Sequence, residues 1–237
     1  MLRATISADI IASSSLSGKE LEELTTFSYS LFDKINTFQQ RNKQEKITFR
    51  LISGDLIECV ILNPNDALRT ALALKAGIKT FPLDKKGKYT PTVKKSRKLF
   101  ETYGIRVAIG IGDMDLELLG KDIFKGNAIN LSGRLIASQK TSNKERVTVK
   151  NSLFFSSVVE SQNQLFQTML SLLDIIFSKM TRKQSEIIFQ KILGYSEHEI
   201  AQALGVSQSS VNQHSKSAGW GAIEEALTLF ASFDFQN

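Results

Sequence analysis

The sequence predicts an α+β protein in two parts, a ferredoxin-like sheet domain followed by an all-α helix-turn-helix domain. Three observations carry this. Hydrophobic patterns over the first 150 residues follow the order strand, helix, strand, strand, helix, strand. A twenty-residue stretch, 161–180, is apolar nearly all round and marks a connecting helix. Ser196–Ala218 has small, glycine and apolar residues at the spacing of a helix-turn-helix. The expected boundaries are 1–158 for the sheet domain, 159–180 for the connecting helix and 181–237 for the helix-turn-helix domain.

The first strand is expected over 3–12, where Ile6, Ala8 and Ile10 alternate with Ser7 and Asp9, so Asp9 falls on the face opposite the apolar set. Ser17 and Glu20 form a capping box that opens a helix of about 18–42, with Leu21, Leu24, Phe27, Leu31, Ile35 and Phe38 recurring at three and four. Two strands at 46–52 and 56–62 flank a Ser53-Gly54-Asp55 turn. Asn63-Pro64-Asn65 ends the second of them and begins a helix at 65–77. The segment 80–98, with Pro82, Gly87, Pro91 and many lysines, is expected to be an inserted loop or hairpin. Its basic run, Lys94, Lys95, Arg97 and Lys98 near Lys85, Lys86 and Lys88, is expected to be a solvated face.

Ile105–Gly112 is apolar and β-branched enough for a buried strand. Its Gly110 and Gly112 lack the third glycine and helix of a dinucleotide fingerprint, and imply that something approaches the backbone closely. Residues 113–125 are ambiguous. A helix at 127–140 carries Asn130 and Arg134 one turn apart on one face. Arg146–Lys150 is expected to be a last short strand.

In the C-terminal part, Thr181 and Gln184 form a capping box for a helix ending at Gly194. Ser196 and Glu199 do the same for the next helix, which Gly205 ends by taking the left-handed conformation of a tight corner. Ser207 caps the second helix, whose Val211 points to the core. Gln208, Ser209, Asn212, Gln213 and Lys216 point outward, with hydrogen-bonding groups suited to base edges and phosphates in a major groove. DNA is the expected partner, and contact with another protein is the alternative. A final helix is expected at 222–232.

Composition narrows the classes further. With 237 residues and 42% hydrophobic content there is material for a real core. No apolar run approaches a bilayer span and MLRATISADI lacks the tripartite form of a secretory signal, so a cytoplasmic protein with no membrane partner is expected. Cys59 is alone and the histidines are only His198 and His214, which argues against a disulfide or a zinc site. The net charge of +6 raises attraction to polyanions without selecting one.

Asp9, at the end of the first strand, and Asp55, in the hairpin turn, come side by side in a ferredoxin-like order, and paired carboxylates suit a divalent cation on a nucleotide phosphate. Four segments, SADIIASS, ISGDLIE, RVAIGIG and FKGNAINLSGRLIAS, resemble in this order the signatures of class III nucleotidyl cyclase domains. That resemblance implies that Asp9 and Asp55 bind magnesium or manganese with a nucleotide. It further implies that Asn130 and Arg134 stabilise the transition state across a homodimer interface. The family's base-selecting position is Leu51 here, and the place of its usual phenylalanine is Ser13. The whole chain is similar to the SatD family, which joins a cyclase-like domain to a C-terminal helix-turn-helix resembling sigma-factor region 4. The features that carry this are SADIIASSSLS, Gly54-Asp55 with Glu58, RVAIGIG, the apolar connecting helix, TRKQ and EIAQALGVSQSSV. The resemblance implies a DNA-binding transcriptional regulator that senses a nucleotide or phosphate-bearing ligand. The alternative is an active nucleotidyl cyclase with a regulatory DNA-binding tail.

Overall fold

The computed structural model describes residues 1–84, 87–139 and 149–235. Lys85 and Lys86 of the basic run, and Arg146 to Thr148 of the strand expected at 146–150, lie outside the described residues; Val149 and Lys150 are in no strand.

The protein is α+β. Strands β1 (Arg3–Ile10), β2 (Thr48–Ile52), β3 (Leu56–Ile61), β4 (Ile105–Gly112) and β5 (Leu153–Ser157) form one sheet in the order β2-β3-β1-β4-β5. The first four are antiparallel to their neighbours, and β5 joins the edge parallel to β4. Up to β4 this is the split βαββαβ order that the sequence predicts. The last strand lies at LFFSS, beyond the stretch expected, because a parallel strand buried on both sides lacks the alternation that flags an exposed one.

Alternation on β1 decides which face carries what. Ala4, Ile6 and Ala8 are fully buried in the main core, beneath α1 (Gly18–Arg41) and α2 (Ala67–Ile78). The Ser17–Glu20 capping box opens α1 as expected. α3 (Pro91–Tyr103) replaces the second half of the expected loop: Thr90 accepts from the Val93 amide and Pro91 occupies the first helical position, where its missing N–H costs nothing. Lys94, Lys95 and Lys98 are exposed on it, but Arg97 is buried and grips both oxygens of Glu20 at 3.0 and 2.7 Å.

The opposite face, carrying Thr5, Ser7 and Asp9, is covered by α5 (Asn127–Ser138), which follows the single-turn α4 (Leu116–Leu119). The Ser132 hydroxyl lies 3.0 Å from that of Thr5 and 2.9 Å from that of Ser7. A Cβ on Gly110 would come within 2.2 Å of the Ala128 carbonyl oxygen, so the close backbone approach expected there is made by this helix.

α6 (Glu160–Lys179) lies along β5, with Phe166, Leu170, Leu173 and Phe177 buried. Each such phenylalanine contributes about 1.5–3 kcal/mol by leaving water. The helix is not buried all round: Leu165, Leu172 and Ile175 are exposed. α7 (Arg182–Ile192) then packs on α2, followed by α8 (Glu197–Leu204), α9 (Gln208–Ser217) and α10 (Trp220–Ser232). Ile188, Phe189 and Ile192 of α7 and Ile223, Leu227 and Phe230 of α10 belong to the same core as β1 and α2. Ile187, Ile200, Ala201 and Val211 form a separate small cluster among α7, α8 and α9, and Ala108, Ile136 and Phe154 another where α5 meets the sheet. The Arg69 guanidinium donates to the Ile192 carbonyl at 2.6 Å, and the Asn65 amide donates to the Ala231 and Phe233 carbonyls at 2.8 and 2.7 Å. The hydrophobic core therefore runs unbroken from the sheet into α7 and α10.

A buried ion pair fastens α2 to α6. Lys75, fully buried, donates to the carbonyls of Tyr103 and Ile105 at 2.9 and 2.7 Å and to the Ser152 hydroxyl, and lies 3.8 Å from Asp174. The Asp174 carboxylate in turn accepts from the amide and the hydroxyl of Ser152, each at 2.5 Å.

Candidate functional site

Two places collect the residues singled out by the sequence, one at the end of the sheet and one on α9. At the sheet end, Asp9 is the penultimate residue of β1 and pairs with Leu56 on β3 and Arg106 on β4. Ser53 and Gly54 take positive φ of 52° and 80° to turn the chain, and the Ile10 amide donates to the Asp55 carbonyl at 2.9 Å. The turn and the end of β1 are thereby stitched together, which brings Asp9 and Asp55 to neighbouring strand ends.

Both carboxylates hold protein donors. The buried Arg106 guanidinium donates to Asp9 Oδ2 at 2.8 Å. The Ser13 hydroxyl donates to Asp55 Oδ2 at 3.0 Å, from a short turn that begins after Ala12 at φ 59°. Carboxylate oxygens are the donors magnesium and manganese prefer, so the donor chemistry fits a divalent cation. The charge balance fits it less well, because the guanidinium on Asp9 offsets half the charge of the pair. Among the described residues, no three His, Cys, Asp or Glu side chains cluster so as to hold a metal ion.

Asn130 and Arg134 are both exposed on α5, one turn apart, while Ala128, Ser132 and Ile136 of that helix face the sheet. Leu51, which the resemblance alone sets at a base-selecting position, packs against the main core. Arg50 beside it pairs with Glu58 across β2 and β3, with its guanidinium 3.9 Å from the centre of the Phe124 ring. Arg106 was not singled out from the sequence, although a signal was there. It is the one charged residue in the run IRVAIGIG, and a charge inside a buried strand needs a partner.

On the C-terminal side, α8 opens on the Ser196–Glu199 capping box and ends at Gly205, whose φ of 63° and ψ of 37° make a left-handed corner. Ser207 caps α9 by accepting from the Ser210 amide at 3.2 Å. Val211 and Ser215 bury one side of α9, and Gln208, Ser209, Gln213 and Lys216 are exposed on the other. The Ser209 hydroxyl lies 2.9 Å from that of Ser207.

Asn212 differs from the other four. It is half-buried and its amide donates to both oxygens of Glu197 at 3.2 Å, while Lys191 reaches the same carboxylate at 3.1 Å. Burial would raise the pKa of Glu197; hydrogen bonds from Lys191 and Asn212 together outweigh it and hold the carboxyl below its ordinary range. This knot joins α7, α8 and α9, so Asn212 is engaged in fixing the angle at which α9 is presented. Glu197, the first residue of α8, went unnoticed in the sequence because an acid at a helix start is explained by the helix dipole alone.

No family model matches the chain, and no curated protein matches it. Among solved structures, one described as the structure of a bacterial light-regulated adenylyl cyclase is similar, with 16% sequence identity and a TM-score of 0.41, covering 70% of this chain and 79% of that one. A likeness of that size carries no inference about activity.

Proposed function

We propose that the protein is a DNA-binding transcriptional regulator in which α8 and α9 form a helix-turn-helix and α9 enters the major groove. The observation that carries this reading is the two-sided character of α9. Val211 and Ser215 are buried, and Gln208, Ser209, Gln213 and Lys216 are exposed behind a left-handed glycine corner. Amide and hydroxyl groups read base edges, and a lysine near the end of the helix meets a phosphate. Selection of bound sequences from random DNA, followed by fluorescence anisotropy across a salt series, tests it. Affinity is expected to fall steeply with salt, and Lys216→Ala to reduce the magnitude of the slope of log K against log salt by about 0.9, one phosphate's worth. Binding that is absent, or that salt leaves unchanged, overturns the reading.

The input in this reading is the Asp9–Asp55 end of the sheet, taking a nucleotide or another phosphate-bearing ligand with magnesium or manganese held by the two carboxylates. The guanidinium already bound to Asp9 competes with a cation there, so it weighs against metal in sensing and in turnover alike. Nucleotide moves the DNA-binding equilibrium only by its difference in affinity for the two arrangements, so operator affinity measured with and without ATP or GTP and manganese is the test. Equal affinities refute the sensing role. The exposed pair Asn130 and Arg134 favours the other reading, a nucleotidyl cyclase of the class III kind. Cyclic product and pyrophosphate formed from ATP or GTP with manganese, and abolished in Asp9→Ala, would establish that instead.

A further inference from the structure

We infer that Arg106 makes cation binding at Asp9 conditional on an anionic ligand. Magnesium or manganese does not take this carboxylate alone, and reaches it only together with a phosphate-bearing molecule that gives the guanidinium a second partner. The inference rests on the reading of this end of the sheet as the input, and concerns how that input is switched. The ion pair is built into the sheet. Asp9 and Arg106 stand directly opposite in the antiparallel register of β1 and β4, where paired side chains share one face. Neither strand is free to draw back. β1 is paired on its other side with β3, through Asp9 and Leu56, and the Val107 amide next to Arg106 donates to the Ser152 carbonyl at 2.8 Å. The two side chains are only 8 and 19% exposed, so water replaces little of what either would lose on parting.

Charge around the pair points the same way. Asp9, Asp55 and Arg106 together carry one negative charge, against the two positive charges of the ion. The next carboxylate on this face is also taken: Glu58, opposite Ser7, accepts from Arg50 Nε at 2.8 Å. A cation that took Asp9 by itself would strand a buried guanidinium and set it beside a like charge. Stranding one partner of a buried pair weakens such binding by at least about tenfold, once the partial exposure of Asp9 is allowed for. A phosphate removes the penalty, because the guanidinium fork matches phosphate as it matches carboxylate. Held on the same ion as Asp9, its oxygens come within reach of the nitrogen that Asp9 gives up. Cation and anion then bind with positive coupling, and each raises the affinity for the other by the same factor. An input of this kind responds to the metal–nucleotide complex and ignores free metal.

Thermal unfolding of the full chain reads both ligands, since each stabilises by binding the folded form. Manganese alone, up to about 1 mM, near the weak end for oxygen-ligand cation sites, should leave the parent unchanged. Manganese with ATP or GTP should stabilise it, and by more than the same nucleotide in EDTA. Arg106→Met removes the charge and keeps much of the bulk. It should be stabilised by manganese alone, and bind it at least about tenfold more tightly than the parent by electron paramagnetic resonance of the free ion. Adding Asp9→Asn to Arg106→Met should abolish that gain, which assigns it to this carboxylate. Arg106→Lys, which keeps the charge, should stay closed to manganese alone. A parent that binds manganese alone and loses it in Asp9→Asn overturns the inference, with no variant at Arg106 needed. An Arg106→Met chain that binds manganese no better than the parent, or an Arg106→Lys chain that binds it as well as Arg106→Met, does so too. Failure of every nucleotide to stabilise the parent refutes the input reading instead, because the manganese-alone contrast between parent and Arg106→Met contains no nucleotide.

Discussion

Replacing Lys75 by methionine keeps the length of the side chain and removes its charge, and the structure sets what this costs. The ammonium is fully buried and fastens α2 to the chain around Ser152 and to Asp174 on α6. Without it the Asp174 carboxylate, 5% exposed, keeps the two Ser152 donors but loses its cation, and the Tyr103 and Ile105 carbonyls lose a donor. Removing one partner of a buried pair costs about 3–5 kcal/mol. Lys79, also buried and favoured by the same carboxylate, stays to offset part of it, so about 3 kcal/mol is expected at pH 7. Native domains have about 5–15 kcal/mol in hand, so the variant should still fold and its loss be readable by urea denaturation.

The pH dependence gives a second readout of the same substitution. Burial pushes the Lys75 ammonium down to about 7, from 10.5 in an unfolded chain. Between those values the unfolded chain holds more protons than the native one, so this group makes stability rise with pH. Below about 7 both states are protonated and the full burial penalty is present. The gap between parent and Lys75→Met should therefore widen from pH 7 towards pH 10, by at most about 1.4 kcal/mol per pH unit. A loss under about 1 kcal/mol at pH 7, or a gap that does not change across this range, would falsify the account.

Glu20 titrates the opposite way. The hydrogen bond from Arg97 holds its carboxyl at about 2, against an ordinary 4.5, so its contribution is present above pH 4.5 and lost as pH falls towards 2. Glu20→Gln, which preserves the capping box, should flatten the acid limb of unfolding there; an unchanged limb would mean the pair contributes nothing. Gly110→Ala should drive α5 off the sheet at a cost of about 1–3 kcal/mol or more, because no rotamer removes a Cβ from beside the Ala128 carbonyl. Gly205→Ala meets nothing within 4 Å and has only its left-handed backbone to resist, so about 1 kcal/mol is expected. Thermal unfolding of the two variants side by side checks the ranking, and an equal loss would contradict it.

What could be read from the chain follows how local each signal is. The capping boxes at Ser17, Thr181 and Ser196 join residues three apart, and the structure has all three. Alternation on β1 separated the Ile6–Ala8–Ile10 face from the Asp9 face for the same reason. α3 was missed because lysines and two prolines imitate a loop, although Thr90-Pro91 is itself a helix start. At the sheet end the two aspartates were visible from spacing, whereas Arg106 and Ser13 hold them only after β4 and the turn beyond β1 fold against them. On α9 the outward residues were legible, but Asn212 is turned aside by Glu197, fifteen residues earlier on another helix.

By itself, then, the sequence determined the order of elements from β1 to β4 apart from α3, the face that β1 buries and the corner between α8 and α9. These depend on contacts between residues two, three or four apart, and such contacts survive as periodicity. The tertiary structure alone decided which charges neutralise which. Lys75 meets Asp174 from 99 residues away and Arg106 meets Asp9 from 97, partnerships with no periodic trace. It also decided that α6 is buried on one side only. An apolar helix on a sheet edge and an apolar helix between two layers have the same composition, and differ only in what the fold sets against the second face.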